Sequence, residues 1–363
     1  MKNIKKVGIL TAGGDCPGLN AVIRAVVKIA TTKHNMSVIG FKDGYDGLIH
    51  DKFMTLGNRE ASGILTVGGT ILGTSNIANP YRYAFKKGGK WIYKDLSRQA
   101  ISNYRKHSLD ALITVGGDGT LSVALKLVKD GLKIVGVPKT IDNDLSETDL
   151  TFGYDSAVTT ATEAIDKLHT TAQSHHRVMA VEVMGRYAGW IALGAGMAGG
   201  GDVILIPEIP YRMEKVCEKI EERSKRGKRF SIVVVAEGAR PVGGKMTVGR
   251  VVESSPDKIR LGGVASIVAE EIEKSTGIES RATILGHVQR GGIPTAFDRI
   301  LATRYGSEAV RLIRDGKFGR MVALRGNAMT DVPIEKAVGK LKLVKPGCPF
   351  VMSLKAMGIG FGD

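Results

Sequence analysis

Two polar segments, each closing a strand-like apolar run, limit the folds open to this chain more than any other feature. Gly116-Gly117-Asp118-Gly119-Thr120 follows the apolar run 111–115, and Pro138-Lys139-Thr140-Ile141-Asp142-Asn143-Asp144 follows the run 134–137. Short continuous apolar runs bounded by turn residues read as strands buried on both faces, the habit of parallel sheets. Parallel sheets require crossover helices, and an open sheet of this kind binds ligands beyond the carboxyl ends of its strands. Both segments are therefore expected at strand tips, where small residues and carboxylates face a ligand.

The rest of the chain fits that frame. Further strand-like runs lie at 7–10, 38–41, 178–183, 203–206, 232–236 and 283–285. Helical stretches at 19–32, 157–172, 214–225, 263–275 and 295–315 fall between many of them. The alternation predicts an α/β class with mostly parallel sheets and helices on both faces. A chain of 363 residues, 43% hydrophobic, is long enough for two domains. Gly13-Gly14-Asp15 repeats the Gly-Gly-Asp theme after the first run, and Pro17 is expected at the first position of a helix whose N-terminus faces an anion. The polar stretch 82–94 reads as an inserted loop or hairpin near the donor site.

Composition decides less. The forty-seven glycines are about twice the usual share, and many sit in pairs after apolar runs, as phosphate loops and tight turns require. The net charge of +16 fits nucleic acid, phosphorylated substrates or a solvated basic surface. With 6% aromatic residues and no long basic run, nucleic acid is not expected as a partner. Cys16, Cys217 and Cys348 have no metal spacing and form no even framework, which points to a reducing cytoplasm. The start, Met1-Lys2-Asn3-Ile4-Lys5-Lys6, is basic, but the following apolar run is too short for a signal peptide, and no run approaches membrane length, so no membrane partner is expected.

The chemistry of the two segments is that of metal-assisted phosphoryl transfer to a hydroxyl. Gly-Gly-Asp-Gly lets backbone N–H groups approach phosphate oxygens while Asp118 holds a hard cation. Asp142 and Asp144 flank Asn143, so one carboxylate can serve as base while the other orients it or the metal. Downstream, Met184-Gly185-Arg186 follows the run 178–183, Arg177 precedes it, and Arg281, His287 and Arg290 share one stretch. Several arginines at strand ends beside glycines form a phosphate clamp, because guanidinium binds oxyanions in bidentate fashion.

On these motifs, together with Gly13 to Asn20, Glu182-Val183-Met184-Gly185-Arg186 and Ala236-Glu237-Gly238, the chain resembles the 6-phosphofructokinase family. The motifs run in family order across most of the chain, and the C-terminal stretch and the 82–94 region resemble the longer bacterial subgroup. The resemblance implies two interleaved Rossmann-like domains: a donor domain of 1–153 plus about 291–340, and a fructose 6-phosphate domain of 154–290 plus about 341–363. It implies Asp142 as general base for the 1-hydroxyl, with Asp144 and Thr140 in support, and Arg186 and the Gly14 backbone stabilising the moving phosphoryl. Asp118 matches the Mg²⁺ ligand. Met184, Gly185 and Glu237 match sugar contacts, and Arg177, Arg281, His287 and Arg290 match the 6-phosphate clamp. Gly14, Tyr45, Gly117, Asp118, Gly119 and Thr120 match the donor side. Arg177 and Arg281 reach a neighbouring subunit's site in the family, which implies a homotetramer. Arg24, Lys28 and the run 225–229 resemble an effector site, but His169 and Asp202 stand where regulated relatives carry Arg and Glu, which leaves allosteric control open.

Two residues speak to the donor. Pyrophosphate users of the family typically carry Asp after Gly-Gly-Asp and Lys before Thr-Ile-Asp-Asn-Asp, whereas many ATP users carry Gly at both. Here Gly119 is ATP-like and Lys139 pyrophosphate-like. A carboxylate at 119 fills the place of a nucleotide phosphate and repels it; Gly119 leaves that space open. Lys139 helps either donor. Tyr45 also favours ATP, whereas Asn76, in the place of a donor-binding arginine, and Ser122-Val123 do not. The expectation is ATP, with pyrophosphate as the alternative. The sugar-phosphate residues argue against a kinase acting on NAD or a lipid. No Gly-x-Gly-x-x-Gly follows the first strand, as a dinucleotide oxidoreductase requires. A basic protein without catalysis leaves Asp142 and Asp144 unexplained.

Overall fold

The computed structural model describes residues 4–251 and 259–363, so Met1, Lys2 and Asn3 of the basic start lie outside the described residues. Two sheets carry the site. The larger has seven strands in the order Ala328–Pro333, Arg320–Arg325, Ile134–Pro138, Ala111–Gly116, Lys6–Thr11, Ser37–Phe41 and Phe53–Leu56. Its five inner strands are parallel and its two edges antiparallel. The smaller sheet is wholly parallel, in the order Ser280–Ile284, Val178–Val183, Ser231–Ala236 and Val203–Leu205. The α/β class read from the sequence is thus the class observed.

Side-chain alternation explains how both sheets bury two faces. On the first strand Leu10 points to the cluster formed with Leu112, Ile134 and the helices Tyr45–His50, Ser97–Lys106 and Asp118–Lys129. Its neighbour Ile9 points to the opposite cluster, with the helices Leu19–Lys28 and Ala296–Arg314. That second cluster continues through Phe152, Ala157 and Ile165 to Val181, Ile204 and Val234 of the smaller sheet, so one apolar core joins the two halves. The outer face of the smaller sheet packs on the helices Met213–Lys225 and Val264–Thr276.

The 82–94 stretch forms a hairpin of strands Tyr83–Lys87 and Lys90–Lys94. One local expectation is corrected. Pro17 does not open the first helix; the helix begins at Leu19, and Gly18 is its N-cap with φ of 106°, a left-handed conformation glycine adopts without strain. Among the described residues no helix is long and apolar enough to cross a membrane. Cys16, Cys217 and Cys348 are free thiols, the first two buried.

Candidate active site

The larger sheet changes winding direction between Lys6–Thr11 and Ala111–Gly116, which pair in parallel while the chain leaves toward opposite edges. The loops beyond such a reversal separate and leave a crevice. A cleft of about 400 Å³ opens there, lined by Gly13, Gly14, Gly117, Gly119 and Thr120, with Tyr45, Lys139, Thr140 and Asp142 on its walls. A Cβ built on Gly119 meets no atom within 4 Å, so position 119 borders open space. A Cβ on Gly14 would lie 2.5 Å from Arg290 Nη1, so the guanidinium rests directly on that backbone. The Lys139 ammonium donates to the Gly14 carbonyl. Tyr45 is buried, and its hydroxyl donates to the Thr120 carbonyl at 2.8 Å.

A second cleft of about 610 Å³ lies beyond the strand ends of the smaller sheet. Met184 and Arg186 follow the strand Val178–Val183, Glu237 follows Ser231–Ala236, and His287 and Arg290 stand on the turn after Ser280–Ile284. Glu182, buried on its strand, accepts from the Gly263 and Ala265 N–H groups at 3.0 Å. Burial first, and the Glu182 charge next, hold the Glu237 carboxyl above its usual range. Arg186 Nη1 donates to the Ile259 carbonyl at 2.7 Å, and its guanidinium lies 5.0 Å from the Tyr187 ring centre.

The clefts meet. Gly14, Asn76, Asp142 and Arg290 line both. Asp142 Oδ1 is shielded from solvent and has no hydrogen-bond partner in the folded chain. Burial and the neighbouring Asp144 charge raise the Asp142 carboxyl to about 7, against the pull of Arg290 and Lys139. Burial raises Asp144 as well, while a hydrogen bond from Thr140 opposes the shift. The Thr140 hydroxyl oxygen also accepts from the Asp142 N–H at 3.1 Å, so one side chain ties the two acids together.

Other residues singled out in the sequence stand apart from the cleft walls. Asp144 and Gly185 line neither cleft. Asp118 opens the helix Asp118–Lys129, and its Oδ1 accepts from the Gly339 N–H at 2.7 Å. Its charge adds to the upward push on the Asp144 carboxyl. Among the described residues no three His, Cys, Asp or Glu side chains cluster as metal ligands. A Mg²⁺ ion does not need such a cage, because it keeps several waters and takes one or two carboxylates with substrate phosphates. Asp118 fits that pattern. Arg177 pairs with Glu279 at 2.6 Å, and Arg281 pairs with Glu273 at 3.4 Å and with Glu279, away from this chain's own clefts. At the effector-like region Asp202 pairs with Arg223 at 2.8 Å, and His169 Nε2 lies 2.6 Å from the Gly199 carbonyl.

The sequence reading missed Arg250 and Arg260, which face the second cleft from a short hairpin of strands Val248–Val251 and Ile259–Leu261. It also missed Gln289, buried, whose Oε1 accepts from the Met184 N–H at 3.3 Å. Gln289 sits inside a quoted motif and was within reach; Arg250 and Arg260 have no motif around them.

Comparison with known proteins adds to this geometry. The model of the family described as phosphofructokinase matches residues 6–313. The chain is 52% identical over 365 residues to the ATP-dependent 6-phosphofructokinase 2 of Clostridium perfringens, covering 100% of both chains. It is also 52% identical over 342 residues to the pyrophosphate–fructose 6-phosphate 1-phosphotransferase of Amycolatopsis methanolica, covering 94% of this chain and 96% of that one. The crystal structure of Pichia pastoris phosphofructokinase in the T-state matches 93% of this chain with a TM-score of 0.78 and 32% identity. The match spans 36% of that longer Pichia chain.

Proposed function

This chain belongs to the phosphofructokinase family, and we propose that it transfers the γ-phosphoryl group of ATP to the 1-hydroxyl of fructose 6-phosphate. The observation that carries the reading is the position of Asp142, where a glycine-lined cleft and an arginine-lined cleft meet, with one carboxylate oxygen left without a partner. A base must sit within reach of both the acceptor hydroxyl and the group being transferred.

The glycine loops at Gly13-Gly14 and Gly117 to Thr120 receive the donor phosphates on backbone N–H groups. The second cleft receives the sugar phosphate: Met184 and Glu237 contact the sugar, Gly185 supports the Glu237 carboxyl through its backbone, and His287 and Arg290 hold the 6-phosphate. The C1 oxygen attacks the γ-phosphorus, Asp142 takes the hydroxyl proton, and the bond to the departing ADP oxygen breaks. Thr140 and Asp144 orient the base. Arg186 and the Gly14 N–H offset the charge spread over the transferred group, which is the main catalytic task in such reactions. Mg²⁺, when bound, would be held by Asp118 with the donor phosphates and would supply further charge neutralisation.

The two sheets correspond to two interleaved Rossmann-like domains, one for each substrate. Arg177 and Arg281, paired at this chain's surface, serve the 6-phosphate of a neighbouring copy in a homotetramer. Pyrophosphate is the second reading, favoured by Lys139 and by the name of the Amycolatopsis relative. The open space at Gly119 favours ATP. Fructose 1,6-bisphosphate formation with Mg-ATP and with Mg-pyrophosphate, side by side, decides between them. Turnover with ATP is expected; turnover with pyrophosphate alone overturns the ATP reading.

A further inference from the structure

The site described so far hangs from strand ends, yet a segment near the C-terminus also grips it. Gly339 reaches Asp118 through the hydrogen bond described above. Leu341 forms an isolated bridge with Leu145, and the Ser146 hydroxyl donates to the Lys340 carbonyl. The Lys342 N–H donates to the Asp144 carbonyl at 2.7 Å. The Lys342 carbonyl accepts from the Trp190 indole N–H at 2.8 Å. The Lys342 ammonium then uses all three of its donors inside the acidic loop, on Asn143 Oδ1 at 2.9 Å, the Thr148 carbonyl at 3.1 Å and the Asp149 carbonyl at 2.7 Å.

We propose that Lys342 is a positioning residue for phosphoryl transfer, holding the Asn143 side chain and the Asp144 backbone so that the Asp142 carboxylate stays at the junction of the clefts. Asn143 is 4% exposed and left-handed, with φ of 50°, and it links the two acids covalently. Its amide oxygen also accepts from the Thr151 N–H at 3.1 Å, so Lys342 and Thr151 hold it from two sides. A backbone rotation at Asn143 would displace Asp142, and a misplacement of about 1 Å costs about 100-fold in rate. Lys342 itself lines neither cleft, so it acts on the base and not on bound substrate.

The inference rests on the function proposed above, so the unaltered chain is assayed first, with Mg-ATP and fructose 6-phosphate. No turnover there overturns both readings; turnover there, with variants that behave normally, overturns this one alone. Lys342→Met is expected to lower kcat about tenfold or more while both KM values stay within about threefold. Lys342→Arg, which keeps a charged donor, is expected to recover most of the loss. Asn143→Gly is expected to cost a similar amount, and adding Lys342→Met to it should cost little further in kcat, because the Lys342–Asn143 contact that positions the base is already gone. A kcat for Lys342→Met within about twofold of the unaltered chain, KM rises that match the fall in kcat, or additive losses in the double variant overturn the inference. Should Lys342→Met fail to fold, Asn143→Gly alone is decisive: it leaves Lys342 two carbonyl acceptors, and normal turnover in it overturns the inference.

Discussion

The electrostatics of the site are concentrated on a few side chains. Asp142 titrates near 7 because it is buried beside Asp144, whereas a free aspartate titrates at 3.8. A base must be ionised, so kcat/KM, which reports the free enzyme, should climb as pH rises through about 7 and level off above it. A pH–rate profile flat from pH 5.5 to 8 would contradict this. Stability runs in the opposite sense. Folding favours the protonated acid, so this group's contribution to stability is fully present below about pH 4 and is lost as pH rises through about 7. Asp142→Asn removes that loss, so its melting temperature should exceed that of the unaltered chain by about 1–3 °C at pH 8, with the gap closing toward pH 5. Melting curves at the two pH values check this, and an equal gap at both would contradict it. At Gly119 the open space makes a sharper test. Gly119→Asp should fold normally and raise the KM for ATP about tenfold or more, because its carboxylate enters the space of the nucleotide phosphates. Unchanged ATP kinetics would remove the steric basis for the choice of donor.

Among the elements, those legible in the sequence were the buried parallel strands, whose apolar runs end in Gly, Asp and Arg. The elements that escaped were those whose pattern is set by neighbours. Trp190–Ala198 is helical although Gly194 and Gly196 weaken it, because those glycines allow close approach. A Cβ on Gly194 would lie 2.9 Å from the Tyr154 hydroxyl, and one on Gly196 2.6 Å from Ile204 Cδ1. The edge hairpin Arg320–Arg325 and Ala328–Pro333 escaped although Met321 to Leu324 is as long an apolar run as 7–10; its outer strand has no fully buried residue and carries Thr330, Asp331 and Pro333, which blur the pattern. Asp118–Lys129 begins inside the phosphate loop, so its first turn read as loop. In the site, the residues within family motifs were legible; Arg250, Arg260 and Lys342 arrive from distant segments, and only tertiary contact reveals them. One element-level prediction concerns Glu182, whose carboxylate caps the helix Val264–Thr276. Glu182→Ala leaves the buried Ala265 N–H and the partly buried Gly263 N–H unmet and should destabilise the fold by about 1–3 kcal/mol. Urea denaturation measures the difference, and a loss below about 0.5 kcal/mol would show that the cap is not needed.

For the molecule as a whole, the two sheets share one apolar core yet send their strand ends into different clefts, so rigidity and division of labour come from the same packing. If neighbouring copies complete each other's phosphate clamp, two inactive variants should rescue one another. Arg281→Ala and Asp142→Asn, unfolded and refolded together, should form mixed assemblies more active than either parent, because some sites receive an intact base and an intact arginine. Mixed material no more active than its parents would contradict shared sites. The central claim, that chemistry occurs where the clefts meet and that Asp142 performs it, is tested most directly by the steady-state kinetics of Asp142→Asn with Mg-ATP and fructose 6-phosphate. A fall in kcat of about 10²–10⁴ with both KM values little changed is the predicted result; near-normal turnover would contradict it.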